Sequence, residues 1–199
     1  IEEKKSIEKE KALIEKEIDP KGIFSAIEQD NTLNDEQKKQ YKNMIISILT
    51  QREFTMSQQN MNTKLSKHVA KAIECSKTLK KLDLKNNKIG SDEAEILANG
   101  IKESKTVQEL YIGNNVIQSE GTAHIARALK HSTTLQVLGL SNNGIALEGI
   151  KQIADAMKFS TSLVTLYIGS AIGGNDVGDK GAEYIAEGIQ CCKSLQTLK

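Results

Sequence analysis

"LKKLDLKNNKIG", residues 79–90, decides the fold. Leu82 and Leu84 alternate with Lys81, Asp83 and Lys85, the pattern of a strand with one buried face. Asn87 and Ile89 follow where the chain must leave that strand. Three later stretches keep the same register: "VQELYIGNNVIQ" from Val107, "LQVLGLSNNGIA" from Leu135 and "LVTLYIG" from Leu163, each starting 28 residues after the last. Leu195-Gln-Thr-Leu198 opens another unit 32 residues on. A fixed period of this length means stacked supersecondary units, none able to bury its apolar face alone.

Between the strands, each unit carries a helical stripe: Leu97, Ala98 and Ile101; Ile125, Ala126 and Leu129; Ile153, Ala154 and Met157. Asn87, Asn115 and Asn143 share one slot, where a side-chain amide can bond backbone groups that the bend strips of partners. The pattern resembles the leucine-rich repeats of the ribonuclease-inhibitor type over roughly residues 51–199. The resemblance implies an α/β solenoid, a horseshoe arc with a parallel sheet on the concave face and helices on the convex face. Counting back from Leu79 places a degenerate first repeat at 51–78. There Phe54 and Met56 fill the strand slots, Gln59 stands for Asn, and Val69, Ala70 and Ile73 match the helix. The expected units are then 79–106, 107–134, 135–162, 163–194 with an insertion, and a truncated 195–199.

Residues 1–50 lie outside the repeat and read as an N-terminal helical cap. The first 18 are mostly charged, 11 of them Glu or Lys, and read as a solvated helix ended by Asp19-Pro20. Asn34 with Gln37 forms a capping box for a helix carrying Tyr41, Met44, Ile45, Ile48 and Leu49. Such a segment would cover the open edge of the first repeat, since an uncovered sheet edge invites unwanted pairing. A separate docking module is the other reading.

Composition excludes several classes. Formal net charge is +1 in 199 residues, which leaves no electrostatic footprint for nucleic acid. No apolar run approaches the ~18 residues of a membrane span. Cys75, Cys191 and Cys192 form no disulfide framework, so a reducing, cytoplasmic setting is expected. The sequence does not begin with Met and stops inside a repeat, so the reading is of a fragment. An upstream secretion signal and the oligomeric state stay open. Lysine outnumbers arginine almost to exclusion, beside many Ile and Asn, which favours an AT-rich genome: a protist, or a bacterial effector acting in host cytoplasm.

No catalytic, metal or cofactor pattern emerges. His124 and His131 lie seven apart on one helix with no acidic or cysteine partner in the pattern. The stretch "YIGSAIGGNDVGDKGAEYI", residues 167–185, has a strand–glycine–helix layout. Asn175 and Asp176 nevertheless follow Gly174 where a phosphate loop needs Lys and Ser/Thr. Register explains it as a repeat with four extra residues between Gly169 and Asn175, and Asn175 returns to the Asn slot. Some proteins of this repeat type activate GTPases, which calls for a catalytic arginine or asparagine on a loop. Arg52 and Arg127, the two arginines, fit no such position.

What remains is surface. The middle strand column, Thr55, Asp83, Tyr111, Gly139 and Tyr167, should face the concave side. At a strand spacing of about 4.8 Å, Tyr111 and Tyr167 should flank Gly139 about 10 Å apart, forming a slot for a partner side chain. Lys85, Gly113, Ser141 and Gly169 form the next column, small enough for a backbone to approach, with Glu109 on the other side. The expectation is a non-enzymatic protein-interaction scaffold binding a protein partner through Asp83, Lys85, Glu109, Tyr111, Gly139, Ser141, Tyr167 and Gly169. The alternative is a GTPase-activating or other enzyme-regulating protein of the same fold.

Overall fold

A computed structural model describes residues 22–169 and 174–199. The expected charged helix at 1–18, the Asp19-Pro20 break and residues 170–173 of the insertion lie outside the described residues. Two helices come first, α1 (Ile23–Gln29) and α2 (Asp35–Thr50). Strands and helices then alternate: β1 (Glu53–Thr55), α3 (Thr63–Cys75), β2 (Lys81–Asp83), α4 (Ser91–Glu103), β3 (Glu109–Tyr111), α5 (Gln118–His131) and β4 (Val137–Gly139). They continue as α6 (Leu147–Met157), β5 (Thr165–Tyr167), α7 (Gly178–Cys191) and β6 (Thr197–Leu198).

The six strands form one parallel sheet in chain order. Leu82 lies opposite Phe54 and Leu110, and Leu138 opposite Leu110 and Leu166. These residues are buried on one side of the sheet, with Leu84, Ile112, Leu140 and Ile168 behind them. Helices α3 to α7 stack in the same order against that side. Their stripes of Leu97, Ala98 and Ile101, of Ile125, Ala126 and Leu129, and of Ile153, Ala154 and Met157 complete the core. Close stacking requires small residues. A Cβ on Gly100 would lie 2.6 Å from the carbonyl oxygen of Ala70 on the preceding helix.

The asparagine slot carries the strand-exit edge. Asn115 is 7% exposed, and its Nδ2 donates to the carbonyls of Ile112 (2.8 Å), Leu84 (3.2 Å) and Gly113 (3.2 Å). Its Oδ1 accepts from the amides of Asn87 (2.8 Å) and Ile89 (3.1 Å) in the neighbouring unit. Asn87 serves Gln59 in the same way, and Asn175 serves Asn143 and Ile145. Each amide thus satisfies its own turn and the preceding one, a need that buried backbone groups cannot leave unmet.

One rung differs. The buried Oδ1 of Asn143 has no hydrogen-bond partner among the described residues. Its donors should come from the preceding turn, and that turn takes another path. Lys88 and Gly144, each directly after its ladder asparagine, are left-handed at φ 57° and 65°. At the matching place stands Val116, whose β-branch disfavours positive φ. The left-handed residue there is Gln118 instead, at φ 57°.

Serines close the helix ends. Ser76, Ser104, Ser132 and Ser160 are buried, and their hydroxyls accept from the amides of Leu79, Val107, Leu135 and Leu163. Cys192 holds this slot after α7, 3% exposed, as a small buried residue.

At the N-terminal end the capping box is present: Asn34 Oδ1 accepts from the Gln37 amide, and Gln37 Oε1 from the Asn34 amide. Ile23, Ile27, Tyr41, Ile45 and Ile48 join the same core as the repeats. The Ser76 hydroxyl donates to the Ile48 carbonyl (2.9 Å), and that of Thr78 to Leu49 (3.0 Å). These bonds satisfy the last turn of α2, which a helix cannot satisfy internally. Lys64 pairs with Asp30, whose carboxyl is held down at about 2, first by the Thr32 hydroxyl. His68 sits against Tyr41, ring centroids 6.4 Å apart, and burial lowers its pKa below the usual imidazole value.

Two predictions follow from these contacts. Asn115→Ala strands the buried amides of Asn87 and Ile89 and should lower unfolding free energy by roughly 3 kcal/mol. Asn143→Ala loses only bonds from Nδ2 and should cost measurably less; urea midpoints of the two variants compare them. For His68, a depressed folded pKa means that the unfolded chain binds the proton first. Stability should therefore fall as pH drops through the normal imidazole value, and His68→Gln should flatten that dependence in urea titrations at several pH values.

Candidate protein-interaction face

With the helices stacked on one side of the sheet, the middle strand column faces the other. Register places Thr55, Asp83, Tyr111, Gly139 and Tyr167 side by side. The expected slot is absent. The rings of Tyr111 and Tyr167 lean together across Gly139, centroids 6.2 Å apart and tilted by 46°. A Cβ on Gly139 would meet Tyr111 Cδ1 at 3.0 Å. Gly139 is buried beneath the pair, so the glycine makes room for the chain's own aromatic rings. Attraction between ring edge and ring face favours such tilted contacts over two separated rings.

Charges surround the rings. The Tyr111 hydroxyl donates to Glu109 Oε2 (3.0 Å). Lys81 and Lys85 Nζ lie 6.0 and 5.4 Å from the Tyr111 centroid, and Lys199 Nζ lies 5.5 Å from that of Tyr167. Lys85 also pairs with Asp83 (3.1 Å), and Lys81 with Glu53 (3.4 Å). Partial burial, then the Glu109 hydrogen bond, push the Tyr111 phenol up to about 12. The face is an aromatic centre with a rim of both charge signs.

The next column is closed too. A Cβ on Gly113 would stand 3.0 Å from the Ser141 carbonyl oxygen, and one on Gly169 3.2 Å from the Lys199 carbonyl carbon. Its small residues therefore serve the approach of neighbouring turns, where the sequence suggested space for a partner backbone. Lys85, Ser141 and Gly169 are half-buried around the tyrosines.

Elsewhere, His124 does have an acidic neighbour that the sequence pattern did not place: Glu95 of α4, at 3.7 Å. No group of three metal-ligating side chains occurs among the described residues. Among those residues, no helix is long and apolar enough to cross a membrane. Arg52 is exposed ahead of β1 and Arg127 is exposed on α5. Asn175 sits in the ladder, donating to Ile168 (2.8 Å) and Leu140 (3.0 Å). Sequence reasoning missed the residue before each ladder asparagine. Asn86, Asn114 and Asn142 are all left-handed, at φ 61°, 54° and 56°. The doubled asparagine was the available signal, since Asn tolerates that region.

A leucine-rich-repeat family model, described as "Leucine Rich repeat", matches residues 75–94, 131–154 and 171–186. The chain has the leucine-rich-repeat fold. Its strand–helix units are of the ribonuclease-inhibitor type. No curated protein matches its sequence significantly. Among solved structures it is similar to leiomodin-1 actin-binding site 2, with 17% identity and a TM-score of 0.58, covering 79% of this repeat chain and 92% of that one. It is also similar to the tropomodulin C-terminal domain of Caenorhabditis elegans, with 16% identity and a TM-score of 0.59, covering 75% and 93%. These likenesses establish a shared fold.

The ring geometry sets a spectroscopic expectation. In an ultraviolet pH titration, one phenolate component should emerge near pH 12 and vanish in Tyr111→Phe. Glu109→Gln should move it to lower pH, because the neutral amide removes the carboxylate's charge. An unchanged profile in both variants would refute the contact.

Proposed function

We propose that this chain is a protein-interaction scaffold that binds a protein partner through the exposed face of its sheet. The observation that carries the reading is the Tyr111–Tyr167 pair at the centre of that face, ringed by Lys81, Lys85, Lys199, Asp83 and Glu109. A rigid aromatic centre within a polar rim is the anatomy of an interaction hot spot, and tyrosine carries much of the energy in such sites. Gly139, Ser141 and Gly169 contribute by keeping the surroundings low enough for the rings to be reached. Residues 1–50 act as a cap, supported by the bonds that α2 receives from Ser76 and Thr78. A cytoplasmic setting accords with a sequence whose three cysteines follow no disulfide framework.

Actin is the first partner to test, because one structural neighbour is an actin-binding site. Co-sedimentation with filaments and affinity capture from cell extract should each be run with the wild type and with Tyr111→Ala/Tyr167→Ala. Losing a tyrosine hot spot costs about 2 kcal/mol, so the double variant should bind its partner at least about 30-fold more weakly. Equal capture by both proteins would refute the face. The enzyme-regulating alternative predicts instead that the chain accelerates GTP hydrolysis by a small GTPase and loses that effect with one side chain.

A further inference from the structure

We propose a second docking site on the helical side: the groove between α5 and α6 binds an acidic, amphipathic peptide segment of a partner protein. The groove has a volume of about 450 Å³, and its floor is built from Ala123, Ala126 and Ala156. Phe159 closes one end and is 60% exposed, although it is the largest apolar side chain on that surface. The matching position after the other helices holds Cys75, Glu103, His131 or Cys191, so the repeat itself does not require an aromatic there. The Phe159 amide donates to the Ala156 carbonyl (3.1 Å), and Lys130 Nζ lies 4.2 Å from the ring centroid.

Charge identifies the occupant. Arg127 and Lys130 line the groove from α5, and neither pairs with a carboxylate among the described residues. The one acid in the lining, Asp155, is already taken by Lys158 at 2.9 Å. His131 adds a third nitrogen base, its Nδ1 bonded to the Arg127 carbonyl. A peptide supplies both complements: an apolar side chain for the alanine floor and Phe159, and a carboxylate for the planar donors of Arg127. Two fixed cations are too few for a phosphodiester chain, which argues against nucleic acid.

The test pans a random peptide display library against the full chain, then measures the selected peptides by fluorescence anisotropy. Peptides pairing Asp or Glu with an aromatic or branched residue are expected. Phe159→Ala and Arg127→Glu, both at exposed positions, should each weaken binding at least tenfold, and Tyr111→Ala/Tyr167→Ala should leave it unchanged. That last arm separates this site from the sheet face. The proposal is overturned if the peptides lack acidic residues or ignore Phe159→Ala. It is equally overturned if no groove-dependent binder is selected, or if a single-stranded oligonucleotide binds the groove in their place.

Discussion

Everything on this molecule's surface depends on one buried amide per repeat. Strands of three residues make few ladder bonds, and the chain turns sharply at both ends of each. Without a side chain inside the turn, the buried amides of Asn87 and Ile89 would lose their acceptor, each at a cost of about 1–3 kcal/mol, and the carbonyls of Leu84, Ile112 and Gly113 would each lose one donor. Asn115 bonds all three carbonyls, and its oxygen accepts both amides of the preceding turn. An asparagine alone offers two donors and an acceptor at this reach, which is why the slot holds Asn in four units. The helix ends are closed by the parallel device of buried serines.

That scaffold determines what the sheet can present. Register brings Tyr111 and Tyr167 to either side of a glycine, and the absence of a Cβ lets the rings meet. The resulting patch is preorganised: one hydroxyl is held by Glu109 and the ring faces are flanked by lysines. Binding to such a surface immobilises little that was free before, which is where affinity is gained. The α5–α6 groove differs, because no carboxylate among the described residues pairs with Arg127 or Lys130.

Much of this was legible in the sequence. The strand leucines, the ladder asparagines and the Leu/Ala/Ile stripes declare themselves by repetition, and the Asn34–Gln37 box by local chemistry. What was not legible depends on side-chain direction. Register predicted Tyr111 and Tyr167 two strands apart, but backbone spacing does not say that rings will lean across the gap. The unpartnered oxygen of Asn143 was hidden for a related reason. It follows from Val116 refusing a left-handed turn, an exception that a consensus pattern averages away. Phe159 fell in a slot with Glu, His and Cys, and only its exposure above an apolar floor distinguishes it.

Native-state hydrogen exchange tests the central claim most directly. If the asparagine ladder holds the fold together, the amides of Asn87 and Ile89, both donated to Asn115 Oδ1, should exchange only through global unfolding. In Asn115→Ala they should exchange through local opening while the strand amides of β4 and β5 stay protected. Rapid exchange of Asn87 and Ile89 in the wild type, at the rate of exposed turn amides, would contradict the account.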